Sequence, residues 1–251
     1  MLDYSSETTD GVTKQVYYDT YNANGFPTQV RTVSSSGKTR QTTYKYPFDL
    51  SGTSVYDEMI NRNILSPVIE TVETLDDSLT TFHRTQYGMN HPGNPGLIAP
   101  VAEDYQTRKQ SSPETRITYN RYDSKGNPVH IVKDNADQVV YFWGYNHKHP
   151  IAEITGASYS EVTGRISEST LNSIAAKDEP TPSDWTTLNN LRTQLPKALV
   201  TTYTYEPLIG IRKMTDPRGV VTEYEYDTFG RLKKVVQDGE AIESYEYHYR
   251  N

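Results

Sequence analysis

The stretch TEYEYDTFGRLKKVVQDGEAIESYEYHYRN, residues 222–251, decides the fold. Thr222, Tyr224 and Tyr226 alternate with Glu223 and Glu225, and because successive strand side chains point to opposite faces, the two sets fall on opposite sides of one strand. Asp227 can accept a hydrogen bond from a backbone amide two residues on, and Gly230 can take a positive φ without steric cost, so the chain can reverse there. A second strand runs from Arg231 to Gln237. Asp238-Gly239, flanked by Val235-Val236 and Ala241-Ile242, is then a strong hairpin signal. The stretch reads strand, turn, strand, turn, strand.

Sliding this pattern along the chain shows that it repeats. Tyr203/Tyr205, Tyr224/Tyr226 and Tyr245/Tyr247 are pairs set 21 residues apart. The turn unit recurs as well: Tyr226-Asp227-Thr228-Phe229-Gly230-Arg231-Leu232 aligns without gaps on Tyr122-Asp123-Ser124-Lys125-Gly126-Asn127-Pro128 and on Tyr21-Asn22-Ala23-Asn24-Gly25-Phe26-Pro27. Looser copies are Tyr205-Glu206-Pro207-Leu208-Ile209-Gly210, with one extra residue, and Tyr145-Asn146-His147-Lys148-His149-Pro150-Ile151, with no glycine. A period this short accommodates one hairpin per repeat.

Tyr-Asp-x-x-Gly-Arg-Leu, with Asp216-Pro217-Arg218-Gly219 one turn earlier, resembles the YD repeat of rearrangement-hotspot (RHS) proteins. That family holds bacterial RHS and polymorphic toxins, encapsulating components of insecticidal toxin complexes, and animal teneurins. The resemblance covers residues 12–46, 114–155 and 199–250, and more faintly 67–87. The runs at 145–154 and 59–70 are similar to long RHS-type surface proteins of gut Bacteroidetes. The resemblance implies an all-β array of antiparallel hairpins forming a curved, spiralling sheet, part of a hollow shell. It also implies that chemistry resides in modules after the repeats, a core segment that self-cleaves in some members and a variable C-terminal toxin; neither is visible in this chain.

Composition narrows the function classes. Net charge is −7 and the isoelectric point is about 5.4, which argues against a duplex-binding surface, since phosphate recognition needs a basic footprint. No nucleic acid is expected as a partner. Mean hydropathy is −0.75 and the apolar residues include 21 tyrosines, which fits an open sheet with much solvated surface. There is no cysteine, hence no disulfide framework and no thiolate metal site. The start, MLDYSSETTDG, has no basic segment followed by an apolar one, and no apolar run approaches the roughly 18 residues of a membrane helix. Neither a signal peptide nor a membrane span is expected in this chain.

One YD-repeat region is expected over 1–251, with three interruptions. At 47–66, Val55, Met59 and Ile60 are spaced for one face of a short helix. At 88–113, glycine, proline and asparagine (GMNHPGNPG) indicate an irregular loop. At 157–198, Thr181-Pro182-Ser183-Asp184 is a helix start, Leu188, Leu191 and Leu195 recur at helical spacing, and Pro196 ends the run. A weaker helix, Ser167 to Lys177, precedes it. The pair reads as a flap over the sheet anchored by Trp185, or alternatively as a partner-docking arm.

No catalytic, cofactor or metal residues are identified. His147 and His149 at i, i+2 would share a strand face and could begin a metal site, but no third ligand is evident. His83, His91, His130 and His248 are scattered and read as solvated or hydrogen-bonded. Asp134-Asn135-Ala136-Asp137 has oxygen ligands at loop spacing yet lacks the glycine and distant glutamate of a calcium loop, so a hairpin turn is expected. The tyrosine ladders suit either sugar stacking or cross-strand packing. The residues singled out, Tyr21, Asn22, Gly25, Tyr122, Asp123, Gly126, Tyr205, Gly210, Tyr226, Asp227, Gly230, Arg231 and Leu232, are expected to be structural. No phosphate loop, nucleophile elbow or His-Glu-x-x-His occurs.

The expected function is a structural repeat segment: wall of a β-shell that encloses or presents a C-terminal toxin or adhesive module of a larger exported protein. Its partner would be the rest of that polypeptide, its location extracellular or cell-surface. The alternative is a cell-surface binding module whose tyrosine faces recognise carbohydrate or a partner protein. A hydrolase hidden in the insertions is a third, weaker reading. Exposed edge strands at Val12–Tyr18 and Ile242–Tyr249 would favour self-association, and Gly230 should sit at positive φ.

Overall fold

The computed structural model describes residues 3–10, 12–34 and 36–247. Among the described residues sixteen strands run antiparallel to their partners, and in each of two compact units, 1–120 and 121–251, strand order follows chain order. Of the two edges predicted for the array, the N-terminal one is revised. An additional strand, β1 (Tyr4–Thr9), pairs outside β2 (Val12–Tyr21), so the edge falls on β1. The last strand, β16, spans Glu240–Ser244; His248 and Tyr249 lie outside the described residues.

In the first unit β3 (Pro27–Val33), β4 (Thr39–Lys45), β5 (Glu70–Leu75), β6 (Ser78–His91), β7 (Asn94–Thr107) and β8 (Glu114–Tyr122) continue the ladder; the last two residues of β8 begin the second unit. Between β4 and β5 stand a 3-10 turn, Pro47–Leu50, and helix α1, Ser54–Asn61. Of the three residues proposed for the helix face, Met59 and Val55 are buried, with Ile69 and Tyr46.

The irregular loop expected from residue 88 is instead the longest hairpin. β6 and β7 pair from Thr81↔Thr107 to His91↔Asn94. The glycines and prolines that suggested a loop sit where a ladder tolerates them: Gly93 is at the tip with φ 87°, and Pro100 faces Tyr87 where the register shifts at Gln86/Tyr87, a bulge at which a missing amide costs no ladder bond.

The second unit holds β9 (Pro128–Lys133), β10 (Asp137–Gly144), β11 (His149–Thr155), β12 (Leu199–Glu206), β13 (Gly210–Thr215), β14 (Val221–Tyr226), β15 (Leu232–Gln237) and β16. Between β11 and β12 come three helices rather than two: α2 (Tyr159–Thr163), α3 (Glu168–Ala175) and α4 (Pro182–Gln194). β11 and β12 still pair directly, so the helices are an insertion that leaves the ladder intact. α4 starts as read: the Thr181 hydroxyl accepts the Asp184 amide and the Asp184 carboxylate accepts the Thr181 amide, satisfying two end amides reciprocally.

The helices cover one sheet face. Val140, Phe142, Ala152, Ile154 and Val200 share a core with Val162, Ile174, Leu188, Leu191 and Leu195. Trp185, expected as the anchor, only flanks this core and stays half-buried; fully buried leucines one and two turns further on hold the helix instead. At about 25 cal/mol per Å², each such leucine stabilises the fold by roughly 1.5–3 kcal/mol.

Candidate functional site: repeat turn, aromatic staple and cleft

The YD motif is a turn with a fixed hydrogen-bond set. It occurs five times among the described residues, beginning at Asn22, Ser34, Asp123, Asp216 and Asp227. In each, the first residue's amide donates to the carbonyl four residues on at 2.9–3.0 Å, and the glycine amide donates back to its carbonyl at 2.9–3.1 Å. The first side-chain oxygen accepts the amide four residues on, from Phe26, Lys38, Asn127, Val220 and Arg231, at 2.8–3.1 Å. In the four Asp/Asn copies it also accepts the amide two residues on. The fourth residue is glycine each time, with φ between 75° and 89°, a region where a Cβ is strained. Gly230, at 75°, adopts the conformation expected of it.

The looser copies solve the turn differently. After Tyr205 the positive φ falls on Leu208, at 67°, and Gly210 is not in the left-handed region. After Tyr145, Asn146 and His147 adopt φ of 56° and 62°. His147 is therefore a turn residue while His149 begins β11, and the two do not share a strand face as expected. His147 Nδ1 meets Asp123 Oδ2 at 2.8 Å, with both side chains largely but not fully buried. His149 stacks on Tyr205, centroids 4.5 Å apart.

The tyrosines have a second geometric rule. The closing aromatic of one strand donates to the carbonyl near the start of the strand before it: Tyr46 to Pro27, Trp143 to Pro128, Tyr205 to Pro150, Tyr226 to Ile211 and Tyr247 to Leu232, at 2.7–2.9 Å. Each is the second member of an aromatic-x-aromatic pair. Two pairs, Tyr44/Tyr46 and Tyr141/Trp143, escaped the sequence reading, the second because tryptophan replaces the tyrosine. Burial, then the neighbouring Tyr203 and Tyr145, push the Tyr205 hydroxyl up to about 12, so it remains a donor. Leu232 thus acts through its carbonyl. Arg231 pairs with Asp227 at 2.6 Å and lies 4.2 Å from the centre of the Tyr247 ring.

The first members behave otherwise. Tyr141 and Tyr203 alternate out of phase with buried Val140, Phe142 and Val200, which puts them on the face opposite the helices, and the register Tyr203↔Met214↔Thr222 puts Tyr224, two residues on, on the same face; burial raises the Tyr141 and Tyr203 hydroxyls, with Glu153 adding to both.

Ionisable groups cluster on β5–β8. Asp104, 3% exposed, accepts Arg84 Nη2 at 2.7 Å, Gln86 at 2.6 Å and Thr115 at 2.7 Å. Burial pushes its carboxyl up, but these donors outweigh it and hold the carboxyl below its usual value. Glu103 accepts the Tyr105 and Tyr119 hydroxyls, each at 2.5 Å, with His83 at 3.4 Å. His91 lies beside the Gly88 carbonyl, and His130 bonds Gln138. His248 lies outside the described residues. Among the described residues no three His, Cys, Asp or Glu side chains are grouped to hold a metal, and Asp134 and Asn135 form the β9–β10 turn at positive φ. No helix among them is long and apolar enough to cross a membrane.

Within the second unit, a cleft of about 540 Å³ opens between α4 and the rims of β12–β14. Trp185 and Asn189 line its helical side; Thr204, Arg212, Lys213 and Glu223 line its sheet side.

The RHS Repeat family pattern matches residues 210–241, which begin at β13 and include the Asp216 and Asp227 turns. No curated protein sequence matches the chain. Among solved structures it is similar to the Tc holotoxin pore of Photorhabdus luminescens, at 13% identity and a TM-score of 0.36 over 95% of this chain and 12% of that one. It is similar also to TcdB2-TccC3 without its hypervariable C-terminal region, at 14% identity and a TM-score of 0.38 over 95% and 12%. The chain therefore spans about one eighth of the length of those chains, 12%.

Proposed function

We propose that this chain, which carries RHS repeats, is a structural wall segment of a larger exported polypeptide, enclosing or presenting a module that lies elsewhere in that polypeptide. The observation that carries the reading is the uniform turn: in five copies the Asp, Asn or Ser oxygen is taken up by backbone amides, and the closing aromatic is tied to a carbonyl. The motif residues build a wall and leave no nucleophile or acid in wait. The chain has no turnover of its own in this reading, and its partner is the rest of its polypeptide, outside the cell or on its surface. Protease digestion of that longer polypeptide tests it. The downstream module should resist a protease dose that destroys it when expressed alone; equal digestion in both settings would overturn enclosure.

A second reading, a binding module for carbohydrate or a partner protein, is favoured by Tyr141, Tyr203 and Tyr224, whose rings share a sheet face and are not the staple donors. A glycan array on the native chain and on Tyr203→Ala tests it: signals lost in the variant support it, and an empty array counts against the carbohydrate form.

A further inference from the structure

The geometry points to the cleft beneath α4 as a binding site for a neutral saccharide one or two rings long, independent of the wall role. Four polar side chains bordering the cleft, Trp185, Thr204, Arg212 and Glu179, have no side-chain hydrogen-bond or ion-pair partner among the described residues. The contrast between the two tryptophans is informative. Trp143 donates its indole N–H to the Pro128 carbonyl at 2.9 Å, whereas half-buried Trp185 keeps its N–H unpaired at a cavity wall. The Trp185 indole N–H is therefore free to donate to an occupant of the cleft.

The chemistry of the occupant follows from the lining. A volume of about 540 Å³ lies within the range of small-ligand sites. The indole offers one flat apolar wall, while threonine hydroxyl, guanidinium and carboxylate supply both donors and acceptors, the combination a ring with an apolar face and a polar rim requires. Charge selects against ions. Glu223 is paired with Lys213 at 2.6 Å and Glu225 faces Lys234 at 4.0 Å, which leaves Glu179 and Arg212 to balance one another. A phosphate would meet carboxylates without a net positive field, and a cation would meet Arg212.

The test is a titration of the native chain with cellobiose, maltose and N,N′-diacetylchitobiose into the millimolar range, read on the two indole N–H cross-peaks of a proton–nitrogen spectrum. Trp185→Phe, which retains a ring at this half-buried position, assigns the Trp185 peak by its loss. At least one sugar should move that peak and leave the Trp143 peak in place. Trp185→Ala should weaken binding about tenfold or more, measured by calorimetry, and Trp185→Phe less. Glucuronate, glucosamine and a short arginine-containing peptide form the second arm. The proposal is overturned if no sugar moves the Trp185 peak, if only a charged ligand does, or if Trp185→Ala binds as the native chain does with its helical circular dichroism unchanged.

Discussion

Substituting Gly210 by alanine isolates the aromatic staple from everything else in the repeat. Gly210 is not in the left-handed region, so alanine brings no backbone strain, and relieving a strand glycine is worth about 0.5–1 kcal/mol in favour of the folded chain. The obstacle is steric: a Cβ there would lie 2.7 Å from Tyr226 Oη and 3.3 Å from Cζ. The ring must swing away and release the Ile211 carbonyl, to which Oη donates at 2.8 Å. Losing that bond and leaving a part-buried carbonyl short of a donor costs about 1–2 kcal/mol, so Gly210→Ala should be net destabilising by up to about 1.5 kcal/mol. Tyr226→Phe alone should cost about 1 kcal/mol. In the Tyr226→Phe background the nearest obstructing atom is absent and the bond already lost, so adding Gly210→Ala should be neutral or stabilising. Urea unfolding of the four proteins, with the m-value held as a check on cooperativity, measures the cycle. A Gly210→Ala penalty of the same sign and size in both backgrounds would show that the staple is not what the glycine protects.

Other perturbations probe the remaining devices. Gly230→Val should cost about 1–3 kcal/mol from backbone strain alone, because the nearest atom to a Cβ there is Ile209 at an ordinary 3.8 Å; Asp227→Ala should cost nearer 1 kcal/mol, and thermal melts give the ordering. Thr181→Ala removes a helix cap and should lower stability by about 0.5–2 kcal/mol, with the loss of helical signal at 222 nm leading the loss of strand signal. Acid should weaken the first unit: the folded Asp104 carboxyl sits below its usual 3.8, so its contribution is present above that value and fades as pH drops through the lower folded one. Urea midpoints should therefore fall below about pH 4, and an Asp104→Asn chain that keeps the same acid slope would refute the assignment.

Much of the repeat was legible because its turn rests on hard local rules. A residue forced to positive φ reads as glycine, and a short acceptor three positions before it reads as Asp or Asn; Gly126 and Gly230 with Asp123 and Asp227 were found on that basis. Ser34 was missed because serine performs the same capping with one fewer amide bond, a weaker and commoner signal. The 88–107 segment failed for the opposite reason: glycine and proline mark turns, but they also mark bulges, and only pairing partners such as Tyr87 distinguish the two. The edge at β1 was hidden because Tyr4–Thr9 is exposed almost throughout and carries no two-sided pattern. The cleft was not legible at all. Trp185 reads from the sequence as the anchor of the flap, whereas its fate depends on Leu188 and Leu191 filling the core and on strands β12–β14 arriving beneath it.

Within each unit every strand bonds only to its neighbours in sequence, and each staple ties adjacent strands. Stability is then close to a sum of hairpin terms and nearest-neighbour terms, as in a one-dimensional lattice. Little loop-closure entropy stands between one step and the next. A chain of this kind can be laid down a hairpin at a time, in the order in which it leaves a ribosome or a secretion channel. It does not have to wait for a distant strand before the segment already emerged becomes ordered.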